Sequence, residues 1–369
     1  MQVGIIGLPN AGKSTIFNAL ASAHAAVASY PFCTIEPNTG FVNVPDDSIV
    51  PLAKIFDSRK VTYAAIKIVD IAGLVSGASR GEGLGNKFLA HIREADVVAH
   101  VLRCFSNDNV SHFLNKMDPL RDVGIISTEL ILADIESLEK RKDKYISAVK
   151  ANDSQAREYL EIIEYLINSL NNYKPDETTG LKKFFSGTLE NFLQKNPVFF
   201  RELNLFCLKP VIYIANVSED SRSQEIFNYF EENKAAENLI KIYGKLESEL
   251  SEIPESERPA YRAGLGIEGD GISDFIKTCY GLLNLITFYT VNENEARAWS
   301  IRKDSKVVEA AGKIHSDMLE GFIKAEVINS DLLIGAGSIH KAREEGILKI
   351  EGKDYILQDR DVIQIKFSV

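Results

Sequence analysis

The sequence predicts an α/β protein with a doubly wound, mostly parallel sheet, and three observations support this fold class. Five short segments are nearly continuous in apolar residues, which is typical of strands buried on both faces of a parallel sheet. Segments with helical periodicity lie between or after these runs, as expected for repeated βαβ units. The first apolar run leads directly into a glycine-containing loop and then into a helix.

The sequence predicts one α/β domain that is formed by two separate segments of the chain, residues 1–118 and 200–285. The strands are VGIIG at 3–7, IKIVD at 66–70, DVVAHVLRC at 96–104, PVIYIANV at 210–217 and LIKIYG at 239–244. The two clearest helices are KSTIFNALAS at 13–22 and ISDFIKTCYGLLNL at 272–285.

Residues 119–199 have no strand character and are predicted to form an inserted helical hairpin, because two stretches each place apolar residues on one helical face. The first face carries Ile131, Ile135, Leu138, Tyr145 and Val149, and the second carries Leu160, Ile163, Ile167 and Leu170. The polar link KANDSQ suits a turn in which Asp153 or Ser154 caps the second helix. The basic segment KRKDK at 140–144 is either a solvated helix face or a contact for RNA.

The pattern changes again after about residue 285, and residues 286–369 are predicted to form a small α+β domain. The segments ITFYTV and ARAWSI are typical of paired strands, and LKIEGKDYIL and VIQIKFSV are predicted as closing strands. A single helix between these pairs is predicted to carry Val307, Ala311, Ile314 and Met318 on its apolar face.

Composition excludes several other classes of protein. The 369 residues contain no run of eighteen apolar residues and no N-terminal signal pattern, so a cytoplasmic protein without membrane contact is expected. The formal charge of −10 opposes long-range attraction of nucleic acid, so any RNA contact requires local basic patches. Cys33, Cys104, Cys207 and Cys279 lie far apart, which favours reduced thiols over disulfides or a zinc site.

The strongest motif is GLPNAGKST at 7–15, which fits G-x-x-x-x-G-K-[ST] with a strand before it and a helix after it. Its glycines allow backbone N–H groups to surround phosphates, and the helix N-terminus adds a favourable potential. Lys13 is predicted to reach the β- and γ-phosphates, and the Ser14 hydroxyl is predicted to bind Mg²⁺. The predicted phosphate-binding set is Asn10, Ala11, Gly12, Lys13, Ser14 and Thr15.

A second motif, DIAG, ends the strand that contains IKIV. Asp70 is predicted to hold Mg²⁺ through water, and the Gly73 N–H is predicted to sense the γ-phosphate. In YPFCTIEPNTG, Thr34 is the candidate hydroxyl that closes on Mg²⁺, with Thr39 as the weaker candidate. The alternative for Thr34 is an ordinary turn residue near Pro31.

These segments resemble a GTPase-class P-loop protein, and more closely the Obg-like ATPase (YchF) subfamily. The resemblance rests on GLPNAGKST, YPFCTIEPN, VDIAGLVSGASRGEGLGNKFL and RCFSNDNVSH, on the hairpin and on the closing domain, and it runs almost end to end. It implies that residues 286–369 are similar to the TGS domain, a ubiquitin-like β-grasp module. Members of the family are associated with ribosomes, so a ribosomal partner is expected, with the large subunit as the expected contact.

Base preference is predicted from the segment Asn216-Val217-Ser218-Glu219, which occupies the place of the guanine-reading N-K-x-D. Val217 replaces the lysine that packs over the base, and the carboxylate of Glu219 is one methylene longer than aspartate. The Asn216 amide suits the N6 and N7 atoms of adenine, and subfamily members with N-x-x-E favour ATP. Further along, the backbone of Tyr243, Gly244 or Lys245 is a candidate for approaching the base.

Slow hydrolysis is predicted because Leu74 stands where Ras-like enzymes place a water-orienting glutamine. The resemblance nominates His112 as the substitute, and the alternative is an ordinary exposed histidine. His91, His100 and His340 are predicted to have structural roles. Asn10 raises the further hypothesis of a potassium ion that bridges the phosphates.

The sequence therefore predicts a slow, Mg²⁺-dependent ATPase that prefers ATP over GTP and acts as a switch on ribosomes or another translation component. One alternative is a guanine-specific GTPase, and another is a non-enzymatic ribosome- or RNA-binding protein that nucleotide merely stabilises. RNA contact would involve a basic groove between the hairpin and the closing domain. The candidate groove residues are Lys140, Arg141, Lys142, Lys144, Arg302 and Lys303.

Overall fold

The computed structural model describes residues 1–23, 38–71, 86–106, 117–173, 188–234, 238–254, 256–267 and 269–368. These residues form two compact units. The first unit contains residues 1–23, 38–40 and most of 67–272, and the second contains 41–66 and 273–368.

Twelve strands and fifteen helices are present in the described residues. The strands are β1 (Gln2–Ile6), β2 (Thr39–Asn43), β3 (Val61–Thr62), β4 (Ala65–Asp70), β5 (Val97–Arg103), β6 (Val211–Asn216), β7 (Leu239–Ile242), β8 (Leu285–Val291), β9 (Ala296–Arg302), β10 (Phe322–Asn329), β11 (Lys349–Glu351) and β12 (Asp361–Phe367). The helices are α1 (Lys13–Ala23), α2 (Ile49–Ile55), α3 (Asn86–Glu94), α4 (Pro119–Lys150), α5 (Ser154–Asn171), α6 (Thr188–Lys195), α7 (Pro197–Leu203), α8 (Ser221–Lys234), α9 (Gly244–Leu250), α10 (Arg258–Gly264), α11 (Gly271–Leu282), α12 (Val307–Ile314), α13 (Ser316–Glu320), α14 (Ser330–Ala336) and α15 (Ile339–Glu344).

The first sheet has the strand order β2-β4-β1-β5-β6-β7, and the pairings from β4 through β7 are parallel. All five apolar runs form strands of this sheet, so the predicted doubly wound α/β fold is confirmed. All seven residues of β5 are buried, as expected for a strand covered on both faces. The carboxyl ends of β1, β4 and β6 carry the phosphate loop, Asp70 and Asn216.

The helical hairpin is confirmed, and α4 and α5 form its two arms. Asp153 caps α5, because its Oδ1 accepts hydrogen bonds from the N–H groups of Gln155 (3.0 Å) and Ala156 (3.1 Å). The hairpin core is larger than two helices, since α6 and α7 add apolar side chains to it. The fully or nearly buried members include Leu138, Ile162, Ile163, Leu166, Leu170, Leu189, Phe199 and Leu203.

The second sheet has the order β11-β10-β12-β8-β9-β3. The β8–β9 hairpin is antiparallel and β12 runs parallel to β8, an arrangement consistent with the expected TGS-like module. The predicted single helix is wrong, because His315 adopts an extended conformation (φ −163°, ψ 144°) that separates α12 from α13. The Nδ1 atom of His315 accepts a hydrogen bond from the Asp317 N–H at 3.2 Å and so caps the second helix. Of the predicted strand LKIEGKDYIL, only β11 forms a strand, and Ile356 makes an isolated antiparallel bridge with Lys306.

Residues 41–66 belong to the same compact unit as the C-terminal sheet, whereas the predicted boundary assigned them to the first domain. Ile49 and Leu52 of α2 are fully buried against Tyr289 and its neighbours. Asp46 organises this packing, since its Oδ1 accepts hydrogen bonds from the Ile49 N–H (3.0 Å) and the Tyr289 hydroxyl (3.2 Å). These partners lie far apart in sequence, so no local pattern indicates the association.

In the part of the chain that the structure covers, no helix combines the length and apolarity needed to cross a bilayer. The three cysteines among the described residues, Cys104, Cys207 and Cys279, are buried and carry free thiols. Burial raises the pKa of the Cys104 thiol to about 12, so the thiol is unreactive at neutral pH. Cys33 lies outside the described residues.

Candidate nucleotide-binding site

The loop between β1 and α1 has a backbone that requires its glycines. Gly7 has φ 155°, and a Cβ atom there would lie 2.5 Å from the Val101 carbonyl oxygen. Gly12 has φ 86°, and its Cβ would lie 2.1 Å from the Asn216 Nδ2 atom. Asn10 also adopts a left-handed conformation, with φ 62°. The loop is therefore tightly packed between the ends of β5 and β6, and side chains at the two glycine positions would displace it.

Lys13 begins α1 and folds back over the loop. Its Nζ atom donates hydrogen bonds to the carbonyl oxygens of Gly7 (3.1 Å) and Leu8 (3.4 Å). Burial lowers the pKa of Lys13, and the negative charge of Asp70 partly offsets this effect. A partly desolvated ammonium group at the start of a helix attracts an anion strongly, because little water has to be displaced.

Ser14 and Asp70 meet beside this lysine. The Ser14 hydroxyl donates a hydrogen bond to Asp70 Oδ2 at 3.3 Å. The other carboxylate oxygen, Oδ1, is buried and has no hydrogen-bond partner among the described residues. Such an oxygen is costly unless a ligand or ion completes its interactions, and hard oxygen atoms are the ligands that Mg²⁺ prefers. Ser14 and Asp70 therefore fit a magnesium ion.

Asn216, at the end of β6, joins the phosphate loop to the first residue of α9. Its Nδ2 donates a hydrogen bond to the Ala11 carbonyl oxygen at 3.1 Å, and its Oδ1 accepts one from the Gly244 N–H at 3.2 Å. The side chain is only 4% exposed. Gly244 is needed for this contact, because a Cβ there would lie 2.7 Å from Asn216 Oδ1. Both ends of the amide are thus engaged by backbone groups of two different loops.

The predicted base-reading residues differ in their exposure. Val217 is 3% exposed and packs into a cluster with Tyr213, Phe227 and Phe230, so its side chain lies in the core. Glu219 is exposed to solvent. Ala11 is buried, Thr15 is half-buried and Ser14 is exposed.

The structure thus brings together most of the predicted site. Lys13, Ser14 and Asp70 form one group, and Asn216 joins Ala11, Gly12 and Gly244 in a second group around the same loop. Thr34, Gly73, Leu74 and His112 lie outside the described residues.

Two neighbours of this loop do not stand out in the sequence. The Phe105 ring lies beside the phosphate loop, with Cε1 3.6 Å from the position of a Gly12 Cβ. The Arg103 guanidinium lies 4.8 Å from the centre of the same ring. Phe105 and Arg103 lie near this loop because β5 is next to β1 in the sheet, and no short sequence motif indicates their position.

A metal site made by side chains alone is absent from the described residues, which contain no group of three or more His, Cys, Asp or Glu side chains able to hold an ion. Ser14 and Asp70 supply two oxygen-bearing groups, so the remaining ligands of a magnesium ion would come from water and from phosphate oxygens.

Family comparisons agree with this geometry. Residues 2–199 match the family described as "50S ribosome-binding GTPase". Residues 285–368 match the YchF-GTPase_C family, described as "Protein of unknown function (DUF933)". Over its full length the chain is 42% identical to the ribosome-binding ATPase YchF of Bacillus subtilis, and the alignment covers 100% of both chains. The chain belongs to the YchF family.

Other YchF proteins extend the comparison. The ribosome-binding ATPase YchF of Haemophilus influenzae is 42% identical across 100% of this chain and 99% of its own. The solved structure of the Schizosaccharomyces pombe YchF GTPase superimposes with a TM-score of 0.84 at 30% identity, covering 99% of this chain and 97% of that one. A GTP binding protein from Pyrococcus horikoshii, at 18% identity and a TM-score of 0.59, shares the fold.

Proposed function

We propose that this chain is a magnesium-dependent ATPase that binds ribosomes and whose bound nucleotide controls that binding. The observation that supports it best is the grouping of Lys13, Ser14 and the incompletely partnered Asp70 at the start of α1. Relatives at 42% identity over the whole chain are named ribosome-binding ATPases.

Each residue of the site has a proposed task. Loop N–H groups and Lys13 bind the β- and γ-phosphates, and the Lys13 ammonium stabilises negative charge that develops as the terminal phosphoryl group leaves. Ser14 would bind Mg²⁺ through its hydroxyl and Asp70 would hold it through water, with Thr34 proposed as a further hydroxyl. When bound, Mg²⁺ neutralises phosphate charge. Gly73 is proposed to bind the γ-phosphate through its N–H, and His112 to orient the attacking water.

Base preference is proposed to arise at the loop that follows β6. Because the Asn216 amide already contacts Ala11 and Gly244, only part of its hydrogen-bonding capacity remains for a base. Val217 and Glu219 do not reproduce the lysine and aspartate that read guanine, so we propose that ATP binds more tightly than GTP.

Equilibrium binding tests this preference directly. Purified protein is titrated with labelled ATP and GTP in the presence of Mg²⁺, and phosphate release is followed with and without ribosomes. We expect tighter binding of ATP, slow basal release and faster release with ribosomes. Tighter binding of GTP would reject the base assignment, and nucleotide binding without phosphate release in either condition would reject the enzyme.

The guanine-specific alternative keeps one argument in its favour. The Schizosaccharomyces pombe relative is named a GTPase, and the family that matches residues 2–199 is described in the same way. The binding titration separates the two functions, because only the ratio of the two affinities differs between them.

Ribosome contact is proposed to involve the large subunit, and an RNA component of that contact stays a prediction. Several candidate cations on the hairpin already have partners within the chain. Lys140 pairs with Glu136 at 2.6 Å, Lys142 pairs with Glu164 at 3.2 Å, and Arg141 donates to the Glu202 carbonyl oxygen at 2.8 Å. These contacts favour the solvated helix face for KRKDK. A steep loss of ribosome binding with added salt would instead support contacts with phosphates.

Potassium activation is proposed through Asn10, whose left-handed backbone places it at the turn of the phosphate loop. Turnover measured in potassium and in sodium buffers of equal ionic strength tests this idea. Equal rates would rule it out.

A further inference from the structure

A buried serine that belongs neither to GLPNAGKST nor to DIAG holds the loop that follows β6. Ser223 lies in the first turn of α8 and is 0% exposed. Its hydroxyl donates a hydrogen bond to the Cys104 carbonyl oxygen at 2.5 Å and accepts one from the Ser218 N–H at 2.9 Å. One hydroxyl therefore connects the residue between Val217 and Glu219 to the end of β5.

The same loop is closed on its outer side by Asp220. Its Oδ1 accepts a hydrogen bond from the Ser223 N–H at 2.9 Å, and its Oδ2 accepts one from the Ser218 hydroxyl at 2.5 Å. These hydrogen bonds lower the pKa of Asp220, so the carboxylate is ionised and acts as an acceptor at neutral pH. Ser218, Asp220 and Ser223 thus form a closed ring of hydrogen bonds around the loop.

This ring is continuous with the Asn216 contacts. The Cys104 N–H donates a hydrogen bond to the Asn216 carbonyl oxygen at 3.0 Å, while the Cys104 carbonyl accepts from Ser223. The backbone at Cys104 therefore holds both the first and the third residue of the Asn216–Glu219 segment. Asn216 in turn contacts the phosphate loop through Ala11. The position of the segment relative to the phosphates depends on this chain of bonds.

We propose that Ser223 is a positioning residue for the nucleotide base, and that its hydroxyl makes discrimination between adenine and guanine possible. The inference depends on the proposed function, because it assumes that this loop faces the base. Discrimination between two purines requires donors and acceptors that are held to within about half an ångström. Without the Ser223 hydroxyl, the Ser218 N–H would lose its acceptor and the segment would lose its link to the Cys104 carbonyl. The Ser218–Asp220 bond and the bond from the Val217 N–H to the Ile242 carbonyl oxygen would remain, and we expect the backbone at Ser218 then to adjust more easily to either base.

The test compares nucleotide affinities of Ser223→Ala with those of the wild-type protein and of Ser221→Ala. Ser221 is exposed and lies two residues earlier in the same helix, so its change is the matched control. With Mg²⁺ present, we expect Ser223→Ala to move the ratio of the ATP and GTP dissociation constants about tenfold towards unity, the effect of roughly one lost hydrogen bond. We expect kcat to stay within about twofold, because Lys13, Ser14 and Asp70 are not touched, and Ser221→Ala to match the wild type.

A second variant, Asp220→Ala, keeps the test informative if Ser223→Ala folds poorly. It removes the exposed half of the ring and leaves the Ser223–Cys104 bond, so a smaller shift of the ratio in the same direction is expected. A loss of thermal stability in Ser223→Ala with an unchanged affinity ratio would mean a structural role only and would overturn the inference. Failure of the wild-type protein to bind either nucleotide would instead overturn the proposed function.

Discussion

Two carboxylates in the first compact unit, Asp70 and Asp134, have opposite surroundings. Both oxygens of Asp134 accept backbone hydrogen bonds, from Phe206 N–H at 3.0 Å and from Cys207 N–H at 2.8 Å. Asp70 has one oxygen paired with Ser14 and a buried second oxygen without a partner among the described residues. Both oxygens of Asp134 therefore have partners within the chain, whereas we propose that a bound ion completes the interactions of Asp70.

This difference distinguishes Asp134, a structural anchor, from Asp70, which lies in the candidate ligand site. Asp134 is 0% exposed and joins α4 of the hairpin to the turn at 206–208. Nearby, Lys209 donates hydrogen bonds to the carbonyl oxygens of Arg93 (3.0 Å) and Ala95 (2.8 Å), where α3 ends. Every polar group named in this anchor has a partner, so its contribution is to stability. Incomplete pairing among the described residues, and not burial alone, is the observation on which we base the proposal that the Asp70 region binds a ligand.

The largest expected effect is on the candidate nucleotide-binding site. Lys13→Ala removes the ammonium that binds phosphate, so we expect kcat/KM for ATP to fall by about 10²–10³-fold. Stability without nucleotide should not fall, because burial already disfavours the charge of this lysine. Steady-state phosphate release and thermal unfolding measure the two quantities. Lys150→Ala, at an exposed site on the hairpin, is the control, and a loss of under fivefold in Lys13→Ala would contradict the assignment.

The matching variant, in the anchor around Asp134, is expected to lower stability and to leave activity unchanged. Asp134→Ala leaves two buried N–H groups without acceptors, and we expect it to lower the free energy of unfolding by about 3 kcal/mol. Urea denaturation measures this change. Glu136→Ala, on the exposed surface of the same helix, should leave the free energy of unfolding nearly unchanged. If kcat fell as far as it does in Lys13→Ala, the separation between anchor and site would be wrong.

The variant Asp70→Asn tests the candidate magnesium site in the same comparison. The amide is neutral, so we expect the Mg²⁺ concentration for half-maximal activity to rise about 10- to 100-fold. Stability without Mg²⁺ should stay equal or increase, because the change removes a buried negative charge whose Oδ1 atom has no partner among the described residues. A magnesium titration of phosphate release gives the first value and calorimetry the second. An unchanged magnesium requirement would remove Asp70 from the ion site, and Asp143→Asn on the hairpin surface is the control.

The smallest expected effect is a pH dependence of the anchor. Burial raises the pKa of Asp134 from 3.8 to about 6, even though backbone hydrogen bonds and Arg93 oppose the shift. The folded state therefore binds this proton more tightly than the unfolded state, so its stabilising contribution is complete below about pH 4 and is lost through about pH 6. Relative to Asp134→Asn, the wild type should lose about 2 kcal/mol over this range. Denaturation at several pH values checks this, and parallel curves for the two proteins would refute it.

Local patterns predicted much of the architecture. Continuous apolar runs predicted the central strands, because a strand covered on both faces has no polar side to present. The polar link predicted that Asp153 or Ser154 caps α5, and the cap is Asp153, whose side chain bonds N–H groups only two and three residues away. The break at His315 was not predicted, because the apolar spacing continues through it while the backbone does not.

Long-range partners account for what the sequence analysis missed. The Asn216 amide meets Ala11, which lies 205 residues earlier, and Ser223 meets Cys104, which lies 119 residues earlier. Residues 41–66 pack with the C-terminal sheet for the same kind of reason, since their apolar side chains fit Tyr289 and Ala298. The spacing of residues along the sequence does not predict such contacts between distant residues.

What the sequence determined by itself was local: a loop whose glycines permit a left-handed backbone, a lysine and a serine at the first positions of a helix, and an aspartate at a strand end. These features depend on covalent geometry and on neighbours within a few residues. Tertiary structure alone decided that the Asn216 amide contacts Ala11 and Gly244, and that Ser223 holds the segment that follows Asn216. It also decided that one Asp70 oxygen has no partner among the described residues, whereas both oxygens of Asp134 have one. Burial and pairing are properties of the packed chain, because they depend on which distant groups exclude water from a given atom.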